Sequence, residues 1–138
     1  MKREIHDLEV KNMLRMANDA MSRAYAPYSN FTVGACLKSG SGAYYLGANI
    51  ENAAFSPSIC AERLVFAKAV YERERVFEVL AIVSSGDKQI KPCGVCLQMM
   101  AEFCDGDLQI ICANRTGRYD IYSLSELLPY AFGAEAMH

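Results

Sequence analysis

Apolar residues recur along this chain with two different periods, and the changes of period mark out its elements. Leu8, Met13, Met16, Ala17, Ala20 and Ala24 return at roughly helical spacing, which predicts an N-terminal amphipathic helix stopping near Tyr25-Ala26-Pro27. Phe31 to Leu37 then reads as a strand, Ser39-Gly40-Ser41-Gly42 as a hairpin turn, and Ala43 to Ile50 as the returning strand. Ser56-Pro57-Ser58 breaks the chain before a helix expected from Cys60 to Arg75. Val79 to Ser84 and Leu108 to Ala113 are short continuous apolar runs, the pattern of strands buried on both faces. Between them, Pro92-Cys93-Gly94 introduces a helix expected from Val95 to Phe103. Asn114-Arg115-Thr116-Gly117 makes a turn into a short strand, Tyr119 to Tyr122, and Ser123 with Glu126 spells a capping box for a last short helix. Helices alternating with strands after an opening hairpin predict an α/β protein, a three-layer α/β/α sandwich around a central mixed sheet.

The 138 residues suffice for one domain, 1–138, and no repeat, low-complexity tract or linker divides them. Hydrophobic residues make up 52% and charged residues 22%, a composition that excludes disorder. Net charge is −2 and the basic residues are scattered, which argues against a nucleic-acid polymer as partner and favours a small, nearly neutral substrate. Met1 to Val10 is charged throughout and no apolar run approaches the roughly 20 residues of a membrane span, so neither a secretory leader nor a membrane anchor is expected and the protein reads as cytoplasmic. In that compartment six cysteines point to metal or catalysis rather than disulfides. His6 and His138 stand at the chain ends, so a central metal site has to be built from thiolates.

The informative segments are Cys60-Ala61-Glu62-Arg63 and Pro92-Cys93-Gly94-Val95-Cys96. Each places cysteine at or just before a helix start, where free N–H groups and the positive end of the helix dipole favour a thiolate. Three thiolates around one Zn²⁺ carry a net charge of −1, which the helix ends and the Arg63 guanidinium offset. Zinc prefers four ligands, and a catalytic site keeps one position for water. Glu62, on the first turn of the helix that Cys60 opens, is placed to take that water's proton and pass it on. Alternatives stand beside this reading: Cys-x-x-Cys as a redox pair, or half of a closed structural zinc site completed by Cys36, Cys104 or Cys112. Cys36 and Cys112 fall in apolar strand runs, however, and Cys104 ends its helix roughly 12 Å from Cys96 at about 1.5 Å per residue.

The set of three cysteines, a non-ligand Glu and a downstream Pro-Cys-x-x-Cys resembles the zinc deaminases. Further stretches make the sequence similar to the small homotetrameric cytidine deaminase family. They are Ala24-Tyr25-Ala26-Pro27-Tyr28-Ser29-Asn30-Phe31-Thr32-Val33-Gly34-Ala35, Gly47-Ala48-Asn49-Ile50-Glu51-Asn52-Ala53 and Glu126-Leu127-Leu128-Pro129. The resemblance implies one zinc per subunit on Cys60, Cys93 and Cys96, with Glu62 as proton shuttle. It implies Asn49 and Glu51 on the ribose hydroxyls, Phe31 near the pyrimidine, Ala61 at the substrate, and Arg63 and Gln98 supporting the site. Phe132 would reach a neighbouring subunit's site in a homotetramer. On pattern alone, Asn49 to Asn52 is a polar strand exit, Phe31 a core aromatic, and Leu127 to Phe132 an apolar tail buried either against another subunit or on its own core.

Departures from the family pattern are Leu97 in place of Arg, Phe55 in place of Tyr and Tyr130 in place of Gly. Leu97 either leaves more negative charge on the thiolates or signals a different subunit interface; Tyr130 is expected to crowd the pocket mouth. The implied reaction is zinc-assisted hydrolysis of cytidine or deoxycytidine to the uracil nucleoside and ammonia, a step of pyrimidine salvage. Two alternatives remain: a sister deaminase acting on a blasticidin-like or N4-modified aminopyrimidine, and a non-catalytic, zinc-stabilised interaction module.

Overall fold

Alternation of helix and strand carries through residues 4–137, the residues that the computed structural model describes. The order is α1 (Asp7–Met21), β1 (Val33–Ser39), β2 (Tyr44–Ala48), α2 (Ala61–Tyr71), β3 (Phe77–Ser84), α3 (Gly94–Phe103), β4 (Gln109–Ala113), β5 (Tyr119–Ser123) and α4 (Leu124–Leu127). A short 3-10 helix, Ala134–Met137, follows and was not expected from the sequence. The expected position of His138 lies outside the described residues; His6 is exposed at the N-cap of α1.

The five strands form one sheet in the order β2-β1-β3-β4-β5. Only β3 and β4 run parallel, joined through α3, and the other neighbours are antiparallel. The apolar runs sort by alternate residues. Val33, Ala35, Leu37, Leu80, Ile82, Ile110 and Cys112 pack towards Val65, Phe66, Ala69, Leu97 and Met100 of α2 and α3. Cys36, Val79, Ala81, Val83, Ile111 and Ala113 pack towards Val10, Met13 and Ala17 of α1. Both faces of the central strands are therefore covered, which is why they read as unbroken hydrophobic runs. The three-layer α/β/α sandwich with a mixed sheet is the observed architecture.

Element ends differ from expectation for local reasons. The first helix stops at Met21 rather than near Tyr25, because Arg23 and Ala24 donate to carbonyls three residues back and Ser22 Oγ bonds the Asp19 carbonyl. The second helix stops at Tyr71 rather than Arg75. Arg73 takes a left-handed conformation (φ 69°), and Glu74 N–H reaches back to the Ala69 carbonyl at 3.0 Å. That is a Schellman-type ending without its usual glycine. Both turns occur as expected, with positive φ at Gly42 and Gly117, and Ser123 and Glu126 form the capping box.

Two glycines set the spacing between layers. A Cβ at Gly47 would lie 2.8 Å from Val65 Cγ1 and 3.1 Å from the Ala61 carbonyl, so β2 runs against the first turn of α2. A Cβ at Gly34 would overlap the Ala17 carbonyl and lie 2.7 Å from Met21 N, both backbone atoms of α1. Gly34→Ala is therefore expected to push α1 off the sheet and cost about 2–3 kcal/mol. Urea denaturation checks this: an unchanged midpoint would mean that the helix accommodates the methyl group.

Candidate active site

Cys60 is the N-cap of α2 and Cys93 the N-cap of α3, and neither side chain makes a capping hydrogen bond. Neither sulfur is spent on the free N–H groups of the helix it begins. Cys96, one turn into α3, is 1% exposed and faces them. The three Sγ atoms all lie within 4.8 Å of one another, with Cys93 and Cys96 at 3.3 Å. Among the described residues no fourth cysteine, histidine or carboxylate joins this group. Sulfur donors in threes, gathered at two helix N-termini, suit zinc held with one position left over.

Charge in the cluster is unevenly shared. The Cys60 thiol is pulled well below its ordinary value, first by the hydrogen bond from Cys96 and then by Arg63, while burial opposes the shift. Cys96 is pushed up because it is the donor in that bond and because it is buried beside Glu62. Arg63 Nη2 lies 3.7 Å from Cys60 Sγ and donates to the Ser58 carbonyl at 3.0 Å, so the guanidinium is anchored against the sulfur it compensates.

Glu62 is 5% exposed, the only buried charged residue among the described residues. Burial pushes its carboxyl up to about 7, and the neighbouring Cys60 charge adds to the shift, while its own backbone N–H and the Cys96 thiol oppose it. A dication among the sulfurs would also oppose it. Set between burial, which raises it, and the charges that lower it, this carboxyl is placed to accept and release protons.

The other cysteines are apart from this group. Cys36 and Cys112 are fully buried in β1 and β4, and Cys104 is the C-cap of α3. Burial raises each of these thiols to about 12, the behaviour of small apolar groups. The closed four-cysteine site therefore lacks its fourth member.

Asn49, Glu51 and Cys60 line one cleft of about 450 Å³ together with Tyr28, Ser29, Phe55, Ile59 and Arg63. Phe31 and Glu62 do not line it. Phe31 is 36% exposed, with its ring edge against Gly86: a Cβ there would lie 3.0 Å from Phe31 Cε1. Ala61 is fully buried at the start of α2 and lines no part of the cleft. A larger cleft of about 760 Å³ flanks β2 but touches none of the three sulfurs.

Other expected residues have contacts that the sequence did not announce. Gln98 Nε2 donates to the Phe132 carbonyl at 2.7 Å, holding the C-terminal segment to α3, while the Phe132 side chain remains 60% exposed. Tyr130 is 95% exposed and lines no part of the cleft, so within its own chain it does not crowd the mouth. Leu97 is buried in the core beneath α2 and α3, a packing role rather than a surface one. Phe55 lines the cleft at 74% exposure in a left-handed conformation, φ 61°.

Residues 8–112 match the family described as the cytidine and deoxycytidylate deaminase zinc-binding region. Cytidine deaminase of Sporosarcina psychrophila is 41% identical over 128 residues, 93% of this chain and 94% of that protein. Cytidine deaminase of Halalkalibacterium halodurans is 41% identical over 126 residues, covering 91% and 96%. The crystal structure of cytidine deaminase from Burkholderia pseudomallei superposes with a TM-score of 0.85 at 37% identity, covering 88% of this chain and 98% of that one.

Proposed function

Since this chain belongs to the cytidine deaminase family, we propose that it hydrolyses the exocyclic amine of cytidine or deoxycytidine to give the uracil nucleoside and ammonia. The observation carrying this reading is the sulfur trio at two helix N-termini with a buried carboxyl two residues after Cys60. Cys60, Cys93 and Cys96 would hold one zinc ion, which when bound supplies Lewis acidity that brings the ionisation of a water near neutral pH. The protein's own part is proton traffic. Glu62 takes a proton from the attacking water and delivers it to N3 of the pyrimidine as the new C4–O bond forms. It then carries a second proton from the C4 hydroxyl to the amine, the C4–N bond breaks, and ammonia leaves. One buried carboxylate serves each transfer because all the protons move on one face of the ring.

Asn49 and Glu51 would hold the sugar and Phe31 the base side, positions supported by their clustering at the end of β2 and before β1. Arg63 is the one cation lining the cleft and is already engaged with Ser58 and Cys60, which favours a nucleoside over a phosphorylated substrate. Among the described residues no helix is long and apolar enough to cross a membrane. A reducing cytoplasm would keep the three thiols available for zinc. Phe55, Val95, Tyr130 and Phe132 are each at least 60% exposed, apolar side chains of the kind that assembly into a homotetramer would cover.

The test is ammonia release from cytidine by protein of known metal content, with a panel that includes deoxycytidine, N4-modified cytidine and blasticidin-like aminopyrimidines. The expected result is turnover of cytidine by protein holding about one zinc per chain, eluting at the mass of a tetramer. Zinc-loaded protein that releases ammonia from none of the panel would leave the interaction-module reading standing.

A further inference from the structure

Ser29 lies in an exposed loop, yet its hydroxyl makes two bonds of opposite sense. It accepts from Phe31 N–H at 3.0 Å and donates to Glu51 Oε2. The other oxygen of the same carboxylate, Oε1, accepts from the backbone N–H groups of Tyr28 and Ser29 at 3.0 and 3.1 Å. A carboxylate offers about four acceptor positions, so three of them are taken by this loop. Asn49 is committed similarly: its Oδ1 accepts from Val33 N–H and its Nδ2 donates to the Phe31 carbonyl, both at 2.9 Å. Asn30 turns the chain between these contacts in a left-handed conformation, φ 57°. Among the described residues, Ser29 is thus the one side chain bonded both to Glu51 and to the Phe31 backbone.

We infer that Ser29 is a positioning residue for substrate binding: its hydroxyl fixes the Glu51 carboxylate so that a single acceptor edge is left for one sugar hydroxyl of the nucleoside. This rests on the reading that Glu51 contacts the sugar. The same contacts, the Ser29 hydroxyl foremost, hold Glu51 below the usual carboxylate range, so it stays an acceptor at all working pH values. With one edge free, Glu51 reads one hydroxyl and is indifferent to the other. One of 2′-deoxycytidine and 3′-deoxycytidine keeps the Glu51 contact and the other loses it. Without Ser29 the carboxylate keeps its charge but gains rotamer freedom, and the selectivity between the two deoxy sugars fades.

The experiment measures kcat and KM of zinc-loaded enzyme for cytidine, 2′-deoxycytidine and 3′-deoxycytidine, in the wild type, Ser29→Ala, Ser29→Thr and Glu51→Gln. Ser29→Ala is expected to raise KM for cytidine about tenfold, the scale of one charge-assisted hydrogen bond, with kcat within about threefold. It should raise KM much less for the deoxynucleoside that lacks the hydroxyl read by Glu51. Ser29→Thr restores the hydroxyl and should restore KM. A KM raised equally for all three sugars, or not raised at all, overturns the role of Ser29. If Glu51→Gln raises KM for cytidine while Ser29→Ala does not, only the positioning role is lost. If Glu51→Gln leaves all three KM values unchanged, the sugar contact itself is wrong and the inference falls with it.

Discussion

Glu62→Gln is expected to keep its zinc and lose about 10³–10⁴-fold in kcat for cytidine, with KM within a few-fold. The amide has the shape of the carboxyl and can still hydrogen-bond, but it neither accepts nor returns a proton at neutral pH. The loss lies at the upper end for a general acid–base group because the same side chain performs every transfer of the cycle. Stability separates this result from simple unfolding. Burial raises the Glu62 carboxyl to about 7 in the folded chain, above its value in the unfolded one. The folded state then holds the proton more tightly, so the charged side chain costs stability as pH rises through the window from about 4.5 to 7. Glutamine removes that cost, and after chelation of the metal the variant should be no less stable than the wild type at pH 8. Kinetics with metal analysis and a urea titration check both halves. Turnover within tenfold of wild type at full zinc occupancy would take Glu62 out of the proton path.

Much of this site was legible because its chemistry is local in the sequence. Cys60 and Glu62 are two residues apart, Cys93 and Cys96 three, and the breaks at Ser56-Pro57-Ser58 and Pro92 place each pair at a helix start. The sheet was legible for a similar reason: unbroken apolar runs need cover on both faces, and α1 on one side with α2 and α3 on the other supply it. Contacts that depend on tertiary closure were not legible. No pattern announces that Asn30 turns left-handed and brings Ser29 onto Glu51, 22 residues away. Arg73 ends α2 from a conformation that favours glycine, so the sequence offered no stop before Arg75. Gln98 was picked out through the family resemblance, and no pattern announces that its amide also holds the Phe132 carbonyl 34 residues on. Asn49 was picked out as a sugar ligand, and the structure adds that half of its amide is spent fastening β1 to the exit of β2.

Cys96→Ala is expected to empty the metal site and abolish deamination, whereas Cys112→Ala, an equally buried cysteine, does neither. The two side chains have the same volume and near-identical exposure, 1% and 0%, and both belong to the core under α2 and α3. Each substitution removes one sulfur from packed surroundings and should cost about 1 kcal/mol of intrinsic stability. What differs is company. Cys96 Sγ lies 3.3 Å from Cys93 Sγ and bonds Cys60, whereas Cys112 sits among strand residues with no second sulfur in the metal group. Two thiolates bind zinc far more weakly than three, so Cys96→Ala should retain well under a tenth of an ion per chain after gel filtration. The wild type also gains stability by mass action from the bound ion, about 4 kcal/mol when free zinc is a thousand times its dissociation constant. A chelator should therefore lower the melting temperature of the wild type and of Cys112→Ala, and leave that of Cys96→Ala where it was. Thermal melts with and without EDTA, beside metal analysis of all three proteins, decide the matter. Stoichiometric zinc in Cys96→Ala, or its loss in Cys112→Ala, would mean that the ion is held by a different set of sulfurs.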